Sequence, residues 1–564
     1  MKKITTLIAL ILLVSAQGQT NSDYSDLKKE IDTYFKKRYT SDTGGMAVAV
    51  VKNGEVVFEN AYGMANLEYQ IPNTVNTVFH AASLSKQFTA YAILLLEQEG
   101  KIALEDDIRK YIPEVPDFGK KITLHHLASH TSGLRDQWRL LHMAGWRPDD
   151  VILNEDIFKL VSQQKDLNFD PGSKLMYSNT GFTLLAEVVA RVSGKTFAEF
   201  TKARIFEPLQ MTNTQFYDDY EKVVPNRAYS YKNENDVVKK SKLSFSTVGA
   251  TSLFTTVKDL SKWAIHLNGL PKENKELAER MNTPARLNNG ETTEAAMGQW
   301  TGVKLKGMEW FDHSGSDASF RAYFSRFPEN NSAVVLLGNT TPLDASGLAL
   351  GVADPFLREF YKEEVGEGET SGEDKKPQQT YDYIKLPKKE LSKFLGKYRE
   401  LEEQYDREIK LINDTLVYYR RESSQTKLLP VSNNEFKMLN DPNDASVFFE
   451  TDEQNNPIMR LNINNERTVF FSKYNTDFLV KEYVGDYYSP ELDTNISIQI
   501  QGELLNAVLF KQNSVELNPI KKDFFKSSNR NLKKIEFLRD KSGKLSGLLI
   551  SNGGAVNVHY VKRE

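Results

Sequence analysis

Cysteine is missing from all 564 residues. Its absence removes disulfides, thiol nucleophiles, iron–sulfur clusters and Cys-ligated zinc together. Covalent catalysis by a side chain therefore falls to oxygen or nitrogen nucleophiles. An excess of one charge is missing too: 72 Lys+Arg against 76 Asp+Glu leave a net charge of -4. Nucleic-acid binders usually carry a basic surplus, so no nucleic-acid partner is expected. Long apolar runs are also scarce. The run Ile4–Val14 is shorter than the roughly 20 residues that span a bilayer. It follows Lys2 and Lys3 and precedes the small, polar stretch Ser15–Gln19, the layout of a secretory signal peptide. Residues 1–18 are thus expected to be a leader, the protein periplasmic or secreted, with no transmembrane segment beyond it.

Hydrophobic residues make up 40%, with 31 Phe and 25 Tyr, so a large core can form. The length calls for two to four domains. From 21 to 361 helical and strand periods mix. Asp26–Lys37 reads as an amphipathic helix, and Met46–Val51 with Val56–Tyr62 as a hairpin turned at Asn53-Gly54. Gln87–Glu99 and Thr180–Val192 have helical spacing and stop at Gly100 and near Gly194. Phe320–Phe327 and Ala333–Leu337 read as a second hairpin. Strands at both ends with helices between predict an α+β fold, one antiparallel sheet built from both chain ends and flanked by helices.

Residues 362–380 are rich in Glu, Gly, Lys, Ser and Thr and read as a solvated linker, so the part before it is expected to fold alone. Beyond it the pattern is all-β and repeats. Phe394-Leu395-Gly396-Lys397-Tyr398 is echoed by Tyr483-Val484-Gly485-Asp486-Tyr487. A hairpin-like pair around Asn464-Asn465 is echoed by Leu548–Ser551 and Val556–Tyr560 around Gly553-Gly554. Two β modules are expected, 381–478 and 479–564. A single larger barrel or sandwich is the competing arrangement. Tyr418, Tyr419, Tyr487 and Tyr488 are candidates for a sugar platform, although neighbours on a strand face opposite ways.

Three short motifs carry potential chemistry. In His80–Phe88, Ser83 and Lys86 are three apart, which on a helix places them on one face. The apolar run behind them can desolvate the lysine and lower its pKa. Alone the spacing is uninformative, since Ser25/Lys28, Ser162/Lys165 and Ser424/Lys427 share it. Second, Tyr177-Ser178-Asn179 follows the turn Asp170-Pro171-Gly172. Tyr177 could act as a base if a lysine ammonium lowered its pKa toward neutrality, and Asn179 could hold a substrate carbonyl or Lys86. Third, His313-Ser314-Gly315-Ser316 precedes a strand; Gly315 would let a substrate backbone approach, and the amides of Ser316 and Ser83 could form an oxyanion hole. A capping serine, a packed tyrosine and a loop histidine are the plain readings of each in isolation.

Together and in this order, Ser83-x-x-Lys86, Tyr177-x-Asn179 and His313-x-Gly315 resemble the serine β-lactamase and penicillin-binding-protein superfamily. The likeness is to its class C branch of D,D-peptidases, D-aminopeptidases and esterases. Leu124–Leu134 resembles the family's His-Leu-Leu-Thr-His-Thr-Ser-Gly-Leu signature, and Ser246–Leu260 a later segment. The resemblance covers roughly residues 30–360 and implies a helical subdomain beside the sheet. It implies that Ser83 is acylated, Lys86 tunes or shuttles the proton, and Tyr177 is base and then acid. Asn179, His313, Gly315 and Ser316 would bind substrate and its oxyanion. No cofactor and no metal are expected. Histidine at 313, where many class C β-lactamases have lysine, favours a D-amino-acid amide, peptide or ester over a β-lactam. A class C-type β-lactamase and a non-catalytic penicillin- or cell-wall-binding protein are the alternatives. A Gly-x-Ser-x-Gly elbow is absent, and His125, His126 and His130 lack an accompanying carboxylate motif for zinc. The expected partner is a small-molecule or peptide substrate, with cell-wall material among the options; nothing fixes the oligomeric state.

Overall fold

The computed structural model describes residues 24–362 and 381–563, apart from 303, 401–404, 422–423, 442–443, 453–454, 465–466, 475–479, 503 and 510–511. The leader 1–18 and nearly all of the linker 362–380 lie outside the described residues. Helix α1 (Ser25–Arg38) buries Ile31 and Phe35. Strands β1 (Met46–Lys52) and β2 (Glu55–Tyr62) form the expected hairpin. Asn53 and Gly54 turn it with φ of 55° and 81°, the left-handed pair that a two-residue connection demands. A helical region follows, with α2 (Ser85–Gln98), α3 (Leu124–Ala128), α4 (Gln137–Met143), α5 (Asn179–Ser193) and α6 (Val257–Glu273). The chain returns as β3 (Ala295–Ala296), β4 (Gln299–Trp300), β5 (Phe311–Asp317), β6 (Phe320–Phe327) and β7 (Ser332–Gly338), then α7 (Ala345–Leu357).

These strands make one antiparallel sheet in the order β3-β4-β5-β6-β7-β1-β2. The early and late strands of this part of the chain meet inside the sheet, where Val48 of β1 lies opposite Leu336 of β7. Every residue of β1 and β7 is buried, because helices cover both faces. The alternation of a strand sorts them. Met46, Val48 and Val50 join Val334 and Leu336 against α1 and α7. Ala47, Ala49 and Val51 join Val335 and Leu337 against α6 and the helical region. Each fully buried Val or Leu contributes about 1.5–3 kcal/mol, so the sheet is held from both sides.

After the linker come two closed eight-stranded antiparallel barrels, from Gly396–Glu400 to Arg467–Tyr474 and from Gly485–Ser489 to Val558–Lys562. The sequence echo is a structural echo. The Tyr398 hydroxyl donates to the Phe394 carbonyl, and the Tyr487 hydroxyl to the Tyr483 carbonyl, each at 2.8 Å. Lys473 closes on the Lys393 carbonyl at 3.1 Å, and Lys562 on the Glu482 carbonyl at 3.2 Å. The tyrosines do not form a platform. Tyr418 and Tyr487 are buried in the barrel cores, while Lys410 covers Tyr419 and Arg563 covers Tyr488.

The second barrel is packed into the helical region. One apolar cluster runs from Leu141 and Phe182 to Tyr487, Leu548 and Tyr560. The first barrel instead has its own core around Tyr398, Phe436 and Phe449. Arg135 and Glu491 form an ion pair of 2.6 Å across the junction, both side chains almost fully buried. The remaining donors of Arg135 reach the carbonyls of Val556 and Asn557 at 3.0 and 3.2 Å, and Gln164 at 3.0 Å. One buried core thus takes residues from both sides of the linker. The last hairpin also departs from the sequence reading, since its second strand begins at Val558 rather than Val556. The reason is local: Asn168 accepts the Val556 amide at 2.8 Å and Arg135 takes its carbonyl, so neither enters the ladder.

Glu491→Ala would leave the Arg135 cation buried without its carboxylate. The expected loss is about 3–5 kcal/mol, read as a lower urea midpoint by circular dichroism. A midpoint equal to that of the unmodified chain would remove this pair from the docking.

Candidate active site

Ser83 lies in the 3-10 turn Ala82–Leu84, at the mouth of α2 rather than inside it. Ala82 holds φ at 49°, a left-handed conformation that costs an L-residue about 1–2 kcal/mol. Ser85 fixes the turn: its hydroxyl donates to the Ala82 carbonyl at 2.6 Å and accepts the Leu253 amide at 3.1 Å. α2 is buried along almost its whole length, which takes Lys86 fully out of solvent.

Lys86 Nζ is 3.1 Å from Ser83 Oγ, 2.8 Å from Asn179 Oδ1 and 2.7 Å from the Ala250 carbonyl. Burial lowers its pKa from 10.5 to about 7, against the opposing pull of Asp317 and Asp136. Near neutrality much of Lys86 is therefore the free amine. Such an amine has two N–H bonds and one lone pair. Asn179 and Ala250 are acceptors and take the two hydrogens, which aims the lone pair at the Ser83 hydroxyl.

Asn179 cannot be turned the other way. Its Oδ1 accepts from Lys86 while its Nδ2 donates to Asp136 Oδ2 at 2.7 Å. Its backbone amide, the first of α5, donates to the same oxygen at 2.8 Å. Asp136 Oδ1 meanwhile caps α4 by accepting the amides of Trp138 and Arg139 at 3.1 and 3.3 Å. The motifs do not contain Asp136. An aspartate immediately before a helical run is a cap signal, but a cap says nothing about what else the carboxylate holds.

The Tyr177 hydroxyl donates to Ser83 Oγ at 2.9 Å. Its ring lies among those of His130, Trp300 and His313, with centroids 4.4, 6.1 and 6.2 Å away. One expectation is reversed here. Burial, with Asp136 and Asp317 adding to it, pushes the Tyr177 phenol well above 10 instead of toward neutrality. The hydrogen bond to Ser83 pulls the other way and is outweighed. At rest Tyr177 is a proton donor and Lys86 the group able to accept a proton.

His313 is buried on β5, with its pKa lowered to about 3 by burial and the nearby Lys86. It is neutral, and its Nδ1 lies 2.6 Å from the Ser314 carbonyl. Gly315 has a different task from the one anticipated. A Cβ there would stand 2.3 Å from the Ala81 carbonyl, so this glycine lets β5 press against the Ser83 turn. Ser316 is the next residue on β5. The pairing of β4 with β5 stops at Trp300 opposite Asp312, so from His313 to Asp317 the outer edge of β5 has no strand partner among the described residues. Asp317 closes the rear of the site, 2.9 Å from His80 Nε2 and bonded to Thr251.

The three histidines considered for zinc divide by function in the fold. His130 sits behind Tyr177, its Nδ1 accepting the Ser178 amide at 3.2 Å. His126 belongs to the capping box of α3 with Thr123, and His125 lies on the same short helix. Among the described residues no group of three or more ligating side chains could hold a metal.

A sequence model of the Beta-lactamase family matches residues 31–354, more than half of the chain. The chain belongs to the β-lactamase family. A penicillin-binding protein of Bacillus subtilis (strain 168) is 28% identical over 328 residues, 55% of this chain and 72% of that protein. A D-aminopeptidase of Brucella anthropi is 28% identical over 249 residues, 44% of this chain but only 46% of its own length. Among solved structures, the octameric penicillin-binding protein homologue from Pyrococcus abyssi covers 80% of this chain and 100% of its own, with TM-score 0.52 and 22% identity. That likeness establishes the fold. The β-lactamase family is one of serine hydrolases, and the family match spans the sheet and the helical region but neither barrel.

A site that depends on the free amine of Lys86 should gain activity as pH rises. Acylation by a chromogenic ester is expected to climb through about pH 7 and level off above it, because Lys86 loses its proton over that range. A rate that falls between pH 5 and 8 would contradict this assignment.

Proposed function

We propose that the chain is an exported serine hydrolase that cleaves a small amide or ester through an acyl-enzyme on Ser83. One observation carries this reading: Ser83 Oγ lies within hydrogen-bonding distance of both Lys86 Nζ and the Tyr177 hydroxyl, with Lys86 poised near neutrality. Ser83 attacks the substrate carbonyl carbon as its proton passes to the Lys86 amine. The carbonyl electrons move to oxygen, which the amides of Ser83 and Ser316 receive. As the tetrahedral adduct collapses, the leaving amine or alkoxide takes a proton from Tyr177, which Lys86 restores. Water then attacks the acyl ester, its proton returns through the same pair, and Ser83 is freed.

The substrate class follows from the β5 edge and from the relatives. A strand edge with open backbone groups suits an extended, peptide-like substrate. A neutral His313 offers no permanent cation for a carboxylate, which favours a D-amino-acid amide, peptide or ester and counts against an efficient β-lactamase. The D-aminopeptidase relative supports the same class. The intact Ser83–Lys86–Tyr177 contacts speak against a purely binding role. The leader-like residues 1–18 support export, and no described helix is long and apolar enough to cross a membrane. We place the hydrolase at 21–361, the linker at 362–380 and the barrels at 381–478 and 479–564.

Incubation with a fluorophosphonate should add one adduct on the Ser83 peptide, seen by mass spectrometry, and Ser83→Ala should abolish it. An adduct on another peptide would refute the nucleophile. Turnover should then be sought with D-amino-acid amides, D-Ala-D-Ala peptides, short-chain esters and nitrocefin. On whichever is cleaved, Tyr177→Phe should lower turnover by about 10²–10⁴-fold, the range for losing acid–base help. Equal turnover would take Tyr177 out of the mechanism.

A further inference from the structure

Asp136 is held from two directions. On one side it grips Asn179, and through it Lys86, as described above. On the other, its backbone amide donates to the Gly554 carbonyl at 2.7 Å, in the turn between the last two strands of the second barrel. That turn is itself clamped. Asn168 donates to the same Gly554 carbonyl at 3.1 Å and accepts the Val556 amide at 2.8 Å. Within the turn, Asn552 Oδ1 accepts the amides of Gly554 and Ala555 at 2.9 and 2.8 Å. Next to Asp136, Arg135 is pinned by Glu491 and by the carbonyls of Val556 and Asn557, and its own carbonyl accepts the Thr180 hydroxyl of α5 at 2.7 Å.

A continuous chain of bonds thus runs from the barrel to the nucleophile: Gly554, Asp136, Asn179, Lys86, Ser83. We propose that the Asn552–Asn557 turn of the second barrel is a positioning element of the catalytic site, setting Lys86 through Asp136 and Asn179. The proposal rests on the acyl-enzyme reading of Ser83. It gives the second barrel a part in catalysis with no substrate contact of its own. The packing shows how little slack the link has. A methyl on Gly554 would stand 3.1 Å from Asp136 Cβ and 3.0 Å from Arg139 Cγ, tighter than most carbon contacts, so these neighbours must shift by a few tenths of an ångström. A methyl on the adjacent Gly553 would meet nothing within 4 Å. One residue apart, the same substitution presses on the relay or misses it.

The groups around Lys86 whose balance would change are Asp136, Asp317, His130, His313 and Tyr177. The test compares full-length Gly554→Ala with Gly553→Ala by the rate of fluorophosphonate labelling at Ser83 across pH 5–9. Gly554→Ala is expected to label about 10-fold more slowly, with a displaced acid limb and faster hydrogen exchange at the Asn179 amide. Gly553→Ala should match the unmodified chain. A loss of folded protein alone would scale the labelled fraction without moving the limb or the exchange at Asn179. If Gly554→Ala does not fold, Asn168→Ala releases the same turn and should show the same changes. Unmodified rate, limb and Asn179 exchange in the folded variant would overturn the positioning role and leave the hydrolase reading intact. A chain that is unlabelled at Ser83 before any substitution would overturn both.

Discussion

The site turns on the removal of one ammonium group from water. A lysine in solvent holds its proton far too tightly to serve a serine hydroxyl at neutral pH. α2 is wrapped by apolar neighbours, and this burial brings Lys86 down to about 7. Two carboxylates, Asp136 and Asp317, pull the other way. The outcome is a balance in which desolvation wins by enough to free the amine, yet the protonated form stays accessible for the return of the proton. Other features of the site serve that balance: Asn179 and Ala250 fix the amine's direction, and the ring of His130, Trp300 and His313 keeps Tyr177 dry and protonated.

Much of this was legible in the residues. The hairpin at Asn53-Gly54, the helices ending near Gly100 and Gly194, and the strand Phe320–Phe327 announce themselves through period and turn chemistry. The sheet built from both chain ends follows from their order. The pairing of Ser83 with Lys86 is a helix-spacing argument, and the two barrels are visible as a repeat. What stayed hidden was what depends on contacts between distant segments. Asp136 looks like any helix cap until Asn179 is seen beside it. The direction of the Tyr177 shift depends on how dry its surroundings are, which no local motif reports. Gly315 reads as an opening for substrate, and only the Ala81 carbonyl behind it shows that the space is already taken.

The second barrel follows the same pattern. Its interior is self-sufficient in composition, with tyrosines and phenylalanines enough for a closed core. Nothing in the pattern of Leu545–Lys562 signals that one turn forgoes ladder bonds to reach Arg135, Asp136 and Asn168. The shortened strand pairing at Val556 is the local cost of that attachment. The buried Arg135–Glu491 pair is its anchor, since a lone charge at that depth would be far more expensive than the pair.

The pairing of β1 with β7 has a consequence for how the molecule comes into being. Synthesis delivers Met46–Lys52 early, while its partner Ser332–Gly338 emerges almost three hundred residues later. Until then one edge of the first hairpin has no mate, and long-range pairing of this kind is slow and exposed to misassociation. The carbonyl of Gly554 arrives later still. Asp136 therefore gains its second anchor only after the sheet and the first barrel have been made.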